Sequence, residues 1–269
     1  MTTCMGRLEH LRQSLPRLAS HSGLACLVVD YGCPQACGDW VEQNHPQVQV
    51  VRADAVRHFS VSRARNLGAR AATTPWICFM DADTLVGPTF AADLRAACSD
   101  NSFLLLSPWQ EQLTGLVACR LDSFNRIGGY DELFEGWGSE DLDLYWRLRR
   151  SGCQQAPLSL PGTSAIAHPD ALRTQHHAIT NRALAQRINM LYFQVKTDLA
   201  RLTDAVEIPL ADRQAVRAKV QEILLASPNR NTVFDVTLPW TTDSPHPAGW
   251  QLRRTMQFLF EPNATISTS

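Results

Sequence analysis

The sequence has little lysine, no long apolar run and no excess of either charge. Lys196 and Lys219 are the only lysines among its 25 basic residues, and 26 acidic residues balance these. A formal net charge of −1 over 269 residues argues against a nucleic-acid partner, which requires a concentrated positive surface. No apolar stretch approaches the ~18 residues that cross a bilayer, and residues 1–12 lack the apolar core of a secretion signal. We therefore expect neither a transmembrane segment nor secretion by that route.

The eight cysteines are scattered along the chain and lack the dense spacing of a small secreted domain held by disulfides. This predicts free thiols in a reducing compartment, and hence a cytoplasmic location. Cys33 and Cys37 have a spacing that could suit zinc. Because no second Cys or His pair follows at zinc-finger spacing, we expect no structural zinc there.

Short apolar runs alternate with helical patterns in the first 170 residues. Strands are predicted at 24–30, 47–52, 75–80 and 103–107, and helices at 60–72, 89–98 and 140–150. Strands that alternate with helices indicate an α/β sandwich with a mainly parallel sheet, here over residues 1–170.

The C-terminal part of the chain has a different character. Its predicted segments are helices at 171–202 and 210–227, a Pro- and Thr-rich loop at 227–250, a short helix or strand at 252–260, and a frayed tail at 261–269. We therefore predict a mostly helical extension over residues 171–269.

The first candidate site is Asp81-Ala82-Asp83, which directly follows the apolar run that ends at Met80. In an open α/β sheet, ligands bind beyond the carboxyl ends of the strands. Two carboxylates there can hold a hard divalent cation, and the cation can bridge a diphosphate. Short D-x-D patterns also arise by chance, so the position after a buried strand is what favours this one.

The second candidate site lies at the start of the predicted helix 140–150. Asp141 shares the apolar stripe of that helix with Leu144, Tyr145 and Leu148. A carboxylate on that stripe points toward the core or a cleft, where burial raises its pKa and makes it a better base. Asp143 and Arg147 are expected to form an ordinary exposed pair. Trp137, between two glycines, suits stacking on a sugar ring, and the alternative is a plain core tryptophan.

Several blocks resemble, in order, family-2 glycosyltransferases with the GT-A fold. They are VVDYG at 28–32, ARNLG at 64–68, CFMDAD at 78–83, and the pair NRIGGYDE at 125–132 and WGSEDLD at 137–143. That last pair is similar to the W-G-x-E-D-x-D region of galactosyltransferase C-terminal segments, as in chondroitin-polymerase-type and β-1,4-galactosyltransferase-type enzymes. The resemblance covers about residues 1–170.

The resemblance implies transfer of a sugar from a nucleotide diphosphate sugar, usually a UDP-sugar, to the hydroxyl of a glycan or other acceptor. It implies that Asp83 coordinates Mn²⁺ or Mg²⁺ and that Asp81 contacts the ribose and the metal shell. His168 is the best-placed third ligand, with His176 and His177 as alternatives.

For the chemical step, the resemblance implies that Asp141 is the general base and that Glu140 orients the acceptor. Trp137 and Gly138 would contact the acceptor beside them. A single displacement that inverts the anomeric carbon needs one base and no covalent intermediate, so we expect an inverting enzyme.

The resemblance also assigns the donor contacts. They are Thr3, Arg7, Asp30, Arg65 and Asn66, beside the first strand, the second strand and the Ala- and Arg-rich helix.

Three features of this donor region leave alternatives. Tyr31 stands where relatives have an acidic residue that contacts uracil, which leaves the identity of the base open. Few apolar residues precede Thr2, so the first strand is expected to be short or missing. For Arg65 the alternative is a charge on the helix surface.

Two other functions remain open at this point. An apolar strand followed by Asp81-Ala82-Asp83-Thr84 also resembles haloacid-dehalogenase-like phosphatases, in which the first Asp is the nucleophile. That motif normally opens the chain and needs a downstream lysine, for which only Lys196 and Lys219 are available. The other alternative is a non-catalytic module that binds nucleotide sugars.

Overall fold

The computed structural model describes residues 1–53, 56–169, 171–226, 232–239 and 253–260. In chain order its elements are β1 (Thr2–Cys4), α1 (Leu8–Ala19), β2 (Leu27–Asp30), α2 (Cys37–Asn44), β3 (Gln49–Arg52), α3 (Val61–Ala71), β4 (Trp76–Asp81), β5 (Thr84–Leu85), α4 (Phe90–Ala97), β6 (Ser102–Leu106), β7 (Val117–Arg120), α5 (Leu121–Arg126), α6 (Glu140–Arg150), β8 (Gln154–Leu158), β9 (Ser164–Ala165), α7 (Ala171–Thr174), α8 (Arg182–Leu202), α9 (Leu210–Ala226), β10 (Thr232–Pro239) and β11 (Arg253–Phe260). Two compact units result, Met1–Asn189 and Met190–Ser269.

The first unit is built on a seven-stranded sheet with the order β3-β2-β1-β4-β7-β6-β8. Neighbouring strands are parallel except at β7, which is antiparallel to both β4 and β6. The strands β2 and β6 are buried along their whole length, as expected for short apolar runs covered on both faces. The predicted α/β class with a mainly parallel sheet is therefore confirmed.

Two strands of the seven-stranded sheet were not predicted, β7 and β8. The first is only four residues long, and the second carries Pro157 and two glutamines. Because β8 lies at one edge of the sheet, a proline that cannot donate to the ladder is tolerated there.

The middle of the sheet brings the ends of three strands together. As expected, β1 is short, with three residues, and its Thr3 pairs with Val29 of β2 on one side and Asp81 of β4 on the other.

The helix α3 begins where Ser60 predicts, since the Ser60 hydroxyl accepts a hydrogen bond from the Arg63 N–H at 3.3 Å.

The helix α6 has the predicted bounds, but one prediction about its surface is wrong. Asp143 and Arg147 are both buried, with 0% and 1% side-chain exposure, and do not form an exposed pair. The guanidinium lies 2.7 Å from the Asp143 carboxylate and also donates to the backbone oxygens of Ile127 and Gly129. Asp143 and Arg147 are buried because the surrounding protein covers a wider face of α6 than the apolar stripe that contains Asp141.

In the second unit, β10 and β11 pair as an antiparallel ribbon. Thr232 lies opposite Phe260 at one end, and Pro239 lies opposite Arg253 at the other. The loop prediction is wrong over residues 232–239, where a β-branched and aromatic pattern finds a partner strand about twenty residues further on. The strand alternative for 252–260 is confirmed for 253–260. The rest of the predicted loop, 227–231 and 240–250, and the tail 261–269 lie outside the described residues.

The predicted helices of the C-terminal part are present as α7, α8 and α9. Residue 170, the predicted boundary, marks a change in composition, whereas the compact units separate between Asn189 and Met190. Within the described ranges, no helix combines the length and apolarity needed to cross a membrane.

Candidate active site

A short ribbon carries His168 to the end of β4. The strands β5 and β9 pair antiparallel just beyond Asp83, and the Ile166 N–H donates to the Asp83 carbonyl at 2.9 Å. His168 Nε2 consequently lies 2.8 Å from Asp83 Oδ2, although 85 residues separate the two along the chain. All three candidate histidines are described, and His168 is the one that contacts Asp83.

The Asp83 carboxylate is suited to a cation. It is 9% exposed, and its Oδ1 is buried with no hydrogen-bond partner among the described residues. Burial is the main cause that raises the pKa of Asp83, repulsion from Asp81 adds to it, and the His168 hydrogen bond opposes it. A buried carboxylate oxygen without a partner is costly unless a cation meets it, and carboxylate with imidazole is a sound ligand set for a divalent ion. The residues present therefore fit Mn²⁺ or Mg²⁺.

Arg7, directly before α1, and His10, within α1, lie near the Asp83–His168 pair. Arg7 donates to the Leu172 carbonyl at 2.8 Å, its Nη1 lies 3.1 Å from His10 Nδ1, and the charges of Asp83 and Asp81 partly offset the lowering of its pKa by burial. The His10 ring is 5.3 Å from the His168 ring. Sequence reasoning missed His10, because the contact that brings it to this site is with His168, far along the chain.

Arg65 joins the two acidic motifs. It is 2% exposed, so its alternative as a surface charge is wrong. Its Nη1 lies 2.6 Å from Asp141 Oδ1, and its Nη2 lies 3.0 Å from Asp81 Oδ1. Gly115 leaves the space for this bridge, since a Cβ there would lie 2.5 Å from Arg65 Nη2 and 2.9 Å from Asp81 Oδ2. Asp81 and Asp141 consequently belong to one cleft.

The two carboxylates at the start of α6, Glu140 and Asp141, differ in their hydrogen bonds. Asp141 is 7% exposed, and its Oδ1 accepts from the Tyr130 hydroxyl at 3.0 Å as well as from Arg65. Burial raises the pKa of Asp141, and Arg65 opposes that shift. The Glu140 Oε2 atom is buried without a hydrogen-bond partner in the described part of the chain. Burial, and then the charge of Asp141, raise the pKa of Glu140 to about 8.

Tyr130 is fixed from two sides. The Asn66 side chain donates to the Tyr130 carbonyl at 2.9 Å and accepts from its N–H at 2.8 Å. The turn before it, with Gly128 and Gly129 at φ +77° and +72°, is held by Arg147 through the Gly129 carbonyl. Asn66, predicted as a donor contact, therefore holds the backbone of Tyr130, and its amide nitrogen also donates to Glu132 Oε1 at 2.9 Å.

Asp30 shapes the loop that follows β2. Its two carboxylate oxygens accept the N–H groups of Cys33 at 2.8 Å and Gly38 at 2.9 Å. The next residue, Tyr31, lines a cavity of about 270 Å³ together with Phe59 and Arg63.

Trp137 has a partner over its ring. The Arg182 guanidinium carbon lies 4.0 Å from the ring centroid, so a positive charge covers this aromatic side chain. Gly138 beside it has φ +99°, a conformation that favours glycine.

The alternative histidines lie elsewhere. His177 is buried against Phe59, with ring centroids 5.3 Å apart, and burial lowers the pKa of His177 to about 4. The ring of His176 occupies the space that a side chain on Gly6 would need.

Solved structures with related folds define the class. The structure of residues 1–349 of S. aureus TarS with UDP-GlcNAc is 12% identical, has a TM-score of 0.60, and is matched over 84% of this chain and 72% of that one. A mannosyltransferase from Pyrobaculum calidifontis, solved with GDP-Man and Mn²⁺, is 14% identical with a TM-score of 0.52, over 84% of this chain and 74% of that one. The fold is the GT-A fold of glycosyltransferases.

Family models give the more particular assignment. Residues 5–108 match the model described as glycosyl transferase family 2, and residues 95–192 match one described as N-terminal domain of galactosyltransferase. Residues 5–108 are therefore similar to family-2 glycosyltransferases, and the fold that they help to form is of GT-A type. The second match includes residues 137–143. Its description names an N-terminal domain of galactosyltransferase, whereas the motif in these residues resembles the C-terminal segments of galactosyltransferases.

A curated relative extends over most of the chain. The pre-mycofactocin glycosyltransferase of Mycobacterium tuberculosis is 24% identical in an alignment that covers 75% of this chain and 54% of the relative. This chain thus spans about half the length of that relative.

Proposed function

We propose that this protein transfers a sugar from a nucleotide diphosphate sugar, specifically a UDP-sugar, to the hydroxyl of a glycan or other acceptor. The reaction depends on a divalent metal and inverts the anomeric carbon. The contact of Arg65 with both Asp81 and Asp141 carries this proposal, because it joins the donor motif and the base motif in one cleft. The nucleotide sugars bound by TarS and by the P. calidifontis enzyme support the donor class.

On the donor side, Asp83, Asp81 and His168 would hold Mn²⁺ or Mg²⁺, and the bound ion would offset the negative charge on the departing diphosphate. Arg7, next to Asp83, adds a positive charge at the same end of the cleft. In the proposal, the cavity beside Tyr31 receives the nucleotide base. The Tyr31 side chain stands there in place of the acidic residue of relatives.

Thr3 and Asp30 also belong to the proposed donor side of the cleft. Thr3 is buried in β1 directly beside Asp81, and Asp30 fixes the backbone of the loop that carries Tyr31. We propose that both act by positioning the nucleotide site.

On the acceptor side, Asp141 takes the proton of the attacking hydroxyl. Its raised pKa suits a base that must hold this proton, while Arg65 and Tyr130 fix its orientation. Glu140, protonated near neutral pH, orients the acceptor through a hydrogen bond, and Trp137 and Gly138 line the acceptor position. A single base with no paired nucleophile supports inversion.

The test is a thermal-shift screen of UDP-glucose, UDP-galactose, UDP-GlcNAc and GDP-mannose, with and without Mn²⁺, followed by an assay of UDP release with hydroxyl acceptors. We expect stabilisation by a UDP-sugar that requires Mn²⁺, because a ligand of the native state raises apparent stability. Release of inorganic phosphate from phosphomonoesters would instead favour the phosphatase. Tight binding without transfer to any acceptor would favour the non-catalytic module.

We also propose a cytoplasmic location. All eight cysteines lie in described residues and are free thiols, which persist in a reducing compartment.

A further inference from the structure

Three cysteine sulfurs meet at the carboxyl edge of the sheet, apart from the carboxylate cleft. Cys4 is the last residue of β1, Cys33 lies in the loop after β2, and Cys37 is the first residue of α2. Their Sγ atoms all lie within 4.8 Å of one another. Sequence reasoning considered only Cys33 and Cys37, because Cys4 is 29 residues away along the chain.

The local backbone produces this arrangement. Cys4 pairs with Asp30 in the parallel register of β1 and β2, so both strands end at the same level. Asp30 accepts hydrogen bonds from the N–H groups of Cys33 and Gly38, which folds the intervening loop back over the strand ends. Ala36 adopts a left-handed conformation, φ +50°, to close the turn before Cys37.

The spacing suits a tetrahedral thiolate site. Zn–S bonds of about 2.3 Å imply sulfur–sulfur separations of roughly 3.8 Å in such a site. The three sulfurs would therefore have to converge by no more than about 1 Å. Cys4 and Cys37 are fully buried, whereas Cys33 is half-buried and gives an ion a path from solvent.

One sulfur already accepts a hydrogen bond from the backbone. Cys33 Sγ accepts the Gly6 N–H at 3.2 Å. A cation bound among the three sulfurs would take the place of the thiol protons, which would be released to solvent.

We propose that Cys4, Cys33 and Cys37 bind one Zn²⁺, with an exchangeable solvent ligand in the fourth position. Thiolates select soft and borderline ions such as zinc, whereas the carboxylate and imidazole pair of Asp83 and His168 suits Mn²⁺ or Mg²⁺. The ion would tie the end of β1 to the loop that carries Tyr31, whose N–H already donates to the Cys4 carbonyl at 3.0 Å. This site does not depend on glycosyl transfer.

The test starts from reduced, chelator-treated protein of residues 1–269 that is titrated with Zn²⁺. We expect one ion per chain, protection of the half-buried Cys33 thiol from alkylation, and a rise in Tm of at least ~4 °C at saturation. Substitution of Co²⁺ for zinc should give an intense thiolate charge-transfer absorption, a readout on the unaltered chain.

Variants locate the ion. Cys33→Ser, at a half-buried position that tolerates the change, should lose the charge-transfer band and the stoichiometric ion, whereas Cys98→Ser, also half-buried, should keep both. A double variant Asp83→Ala/His168→Ala should also retain the zinc. The proposal is overturned by no stoichiometric zinc, by a Co²⁺ spectrum without thiolate bands, by retention in Cys33→Ser, or by a disulfide between any two of the three cysteines in protein isolated without reductant.

Discussion

The two ends of the cleft satisfy their charges in different ways. At the proposed donor end, Asp81 has 47% side-chain exposure and Asp83 Oδ1 is buried with no partner within the described ranges. At the proposed acceptor end, Asp141 Oδ1 already accepts from Arg65 and Tyr130, and Glu140, whose Oε2 has no partner in the described part of the chain, has a pKa raised to about 8. A carboxylate oxygen is thus left open to a cation at Asp83, whereas the unpartnered carboxyl at the other end favours its protonated form.

The largest expected effect is at the donor end. Asp83→Ala should reduce transfer on the order of 10⁴-fold, since it removes several kcal/mol of stabilisation of the departing charge. Mn²⁺-dependent stabilisation by UDP should disappear in the same thermal-shift assay. Asp100→Ala, at a carboxylate that is 95% exposed, is the matched control and should behave as the unaltered protein. Unchanged metal-dependent UDP binding in Asp83→Ala would remove the metal assignment.

The next effect separates the two ends directly. Asp141→Asn should lower kcat by ~10³-fold because the amide cannot take a proton, while donor binding stays intact. Single-turnover rates and UDP-sugar affinity, measured together, check this, with the exposed Asp122→Asn as the control. Full transfer by Asp141→Asn would contradict its role as the base, and a loss of donor affinity would place it at the donor end.

A third prediction tests whether the buried pair of Asp143 and Arg147 stabilises the protein around α6, the helix that carries Asp141. Arg147→Met should lower the free energy of unfolding by ~3–5 kcal/mol, because it leaves the Asp143 charge in the interior without this partner. Chemical denaturation measures the change. The double variant Asp143→Leu/Arg147→Met should recover part of the loss, and equal destabilisation of the single and double variants would show that the charge pair is not the cause.

The last prediction concerns the pH dependence that Glu140 adds to stability. Its pKa is raised from 4.5 to about 8, so between these values the folded chain keeps a proton that the unfolded chain releases. More protons bound in the folded state mean that stability falls as pH rises through this window. Denaturation between pH 5 and pH 8 should show a shallower decline for Glu140→Gln than for the unaltered protein or for a control Glu111→Gln. Parallel curves would show that Glu140 titrates near its ordinary value.

The sequence was informative wherever the signal is local. The apolar run before Asp81 indicated a buried strand, and the phase of Asp141 relative to Leu144 and Leu148 indicated a buried carboxylate. Ser60 indicated the start of α3 for the same reason, since a cap is formed within one turn.

What could not be predicted depends on contacts between distant residues. The burial of Arg147 requires the turn at Gly129, and the proximity of His10 to His168 requires the β5–β9 ribbon. Cys4 joins Cys33 only because β1 and β2 end side by side. Nothing within a window of a few residues carries this information.

The reversed strand β7 has a consequence for the width of the cleft that holds Asp81 and Asp141. Because β7 runs against its neighbours, it starts at the edge where β4 finishes, and the segment entering it passes Arg65 with the Gly115 carbonyl at 3.4 Å. One wall of the cleft is therefore a segment that leaves a strand, and the other is a segment that approaches a strand. Because residue 115 is glycine, this second wall can lie close to Arg65 and Asp81, and any larger residue there would force them apart.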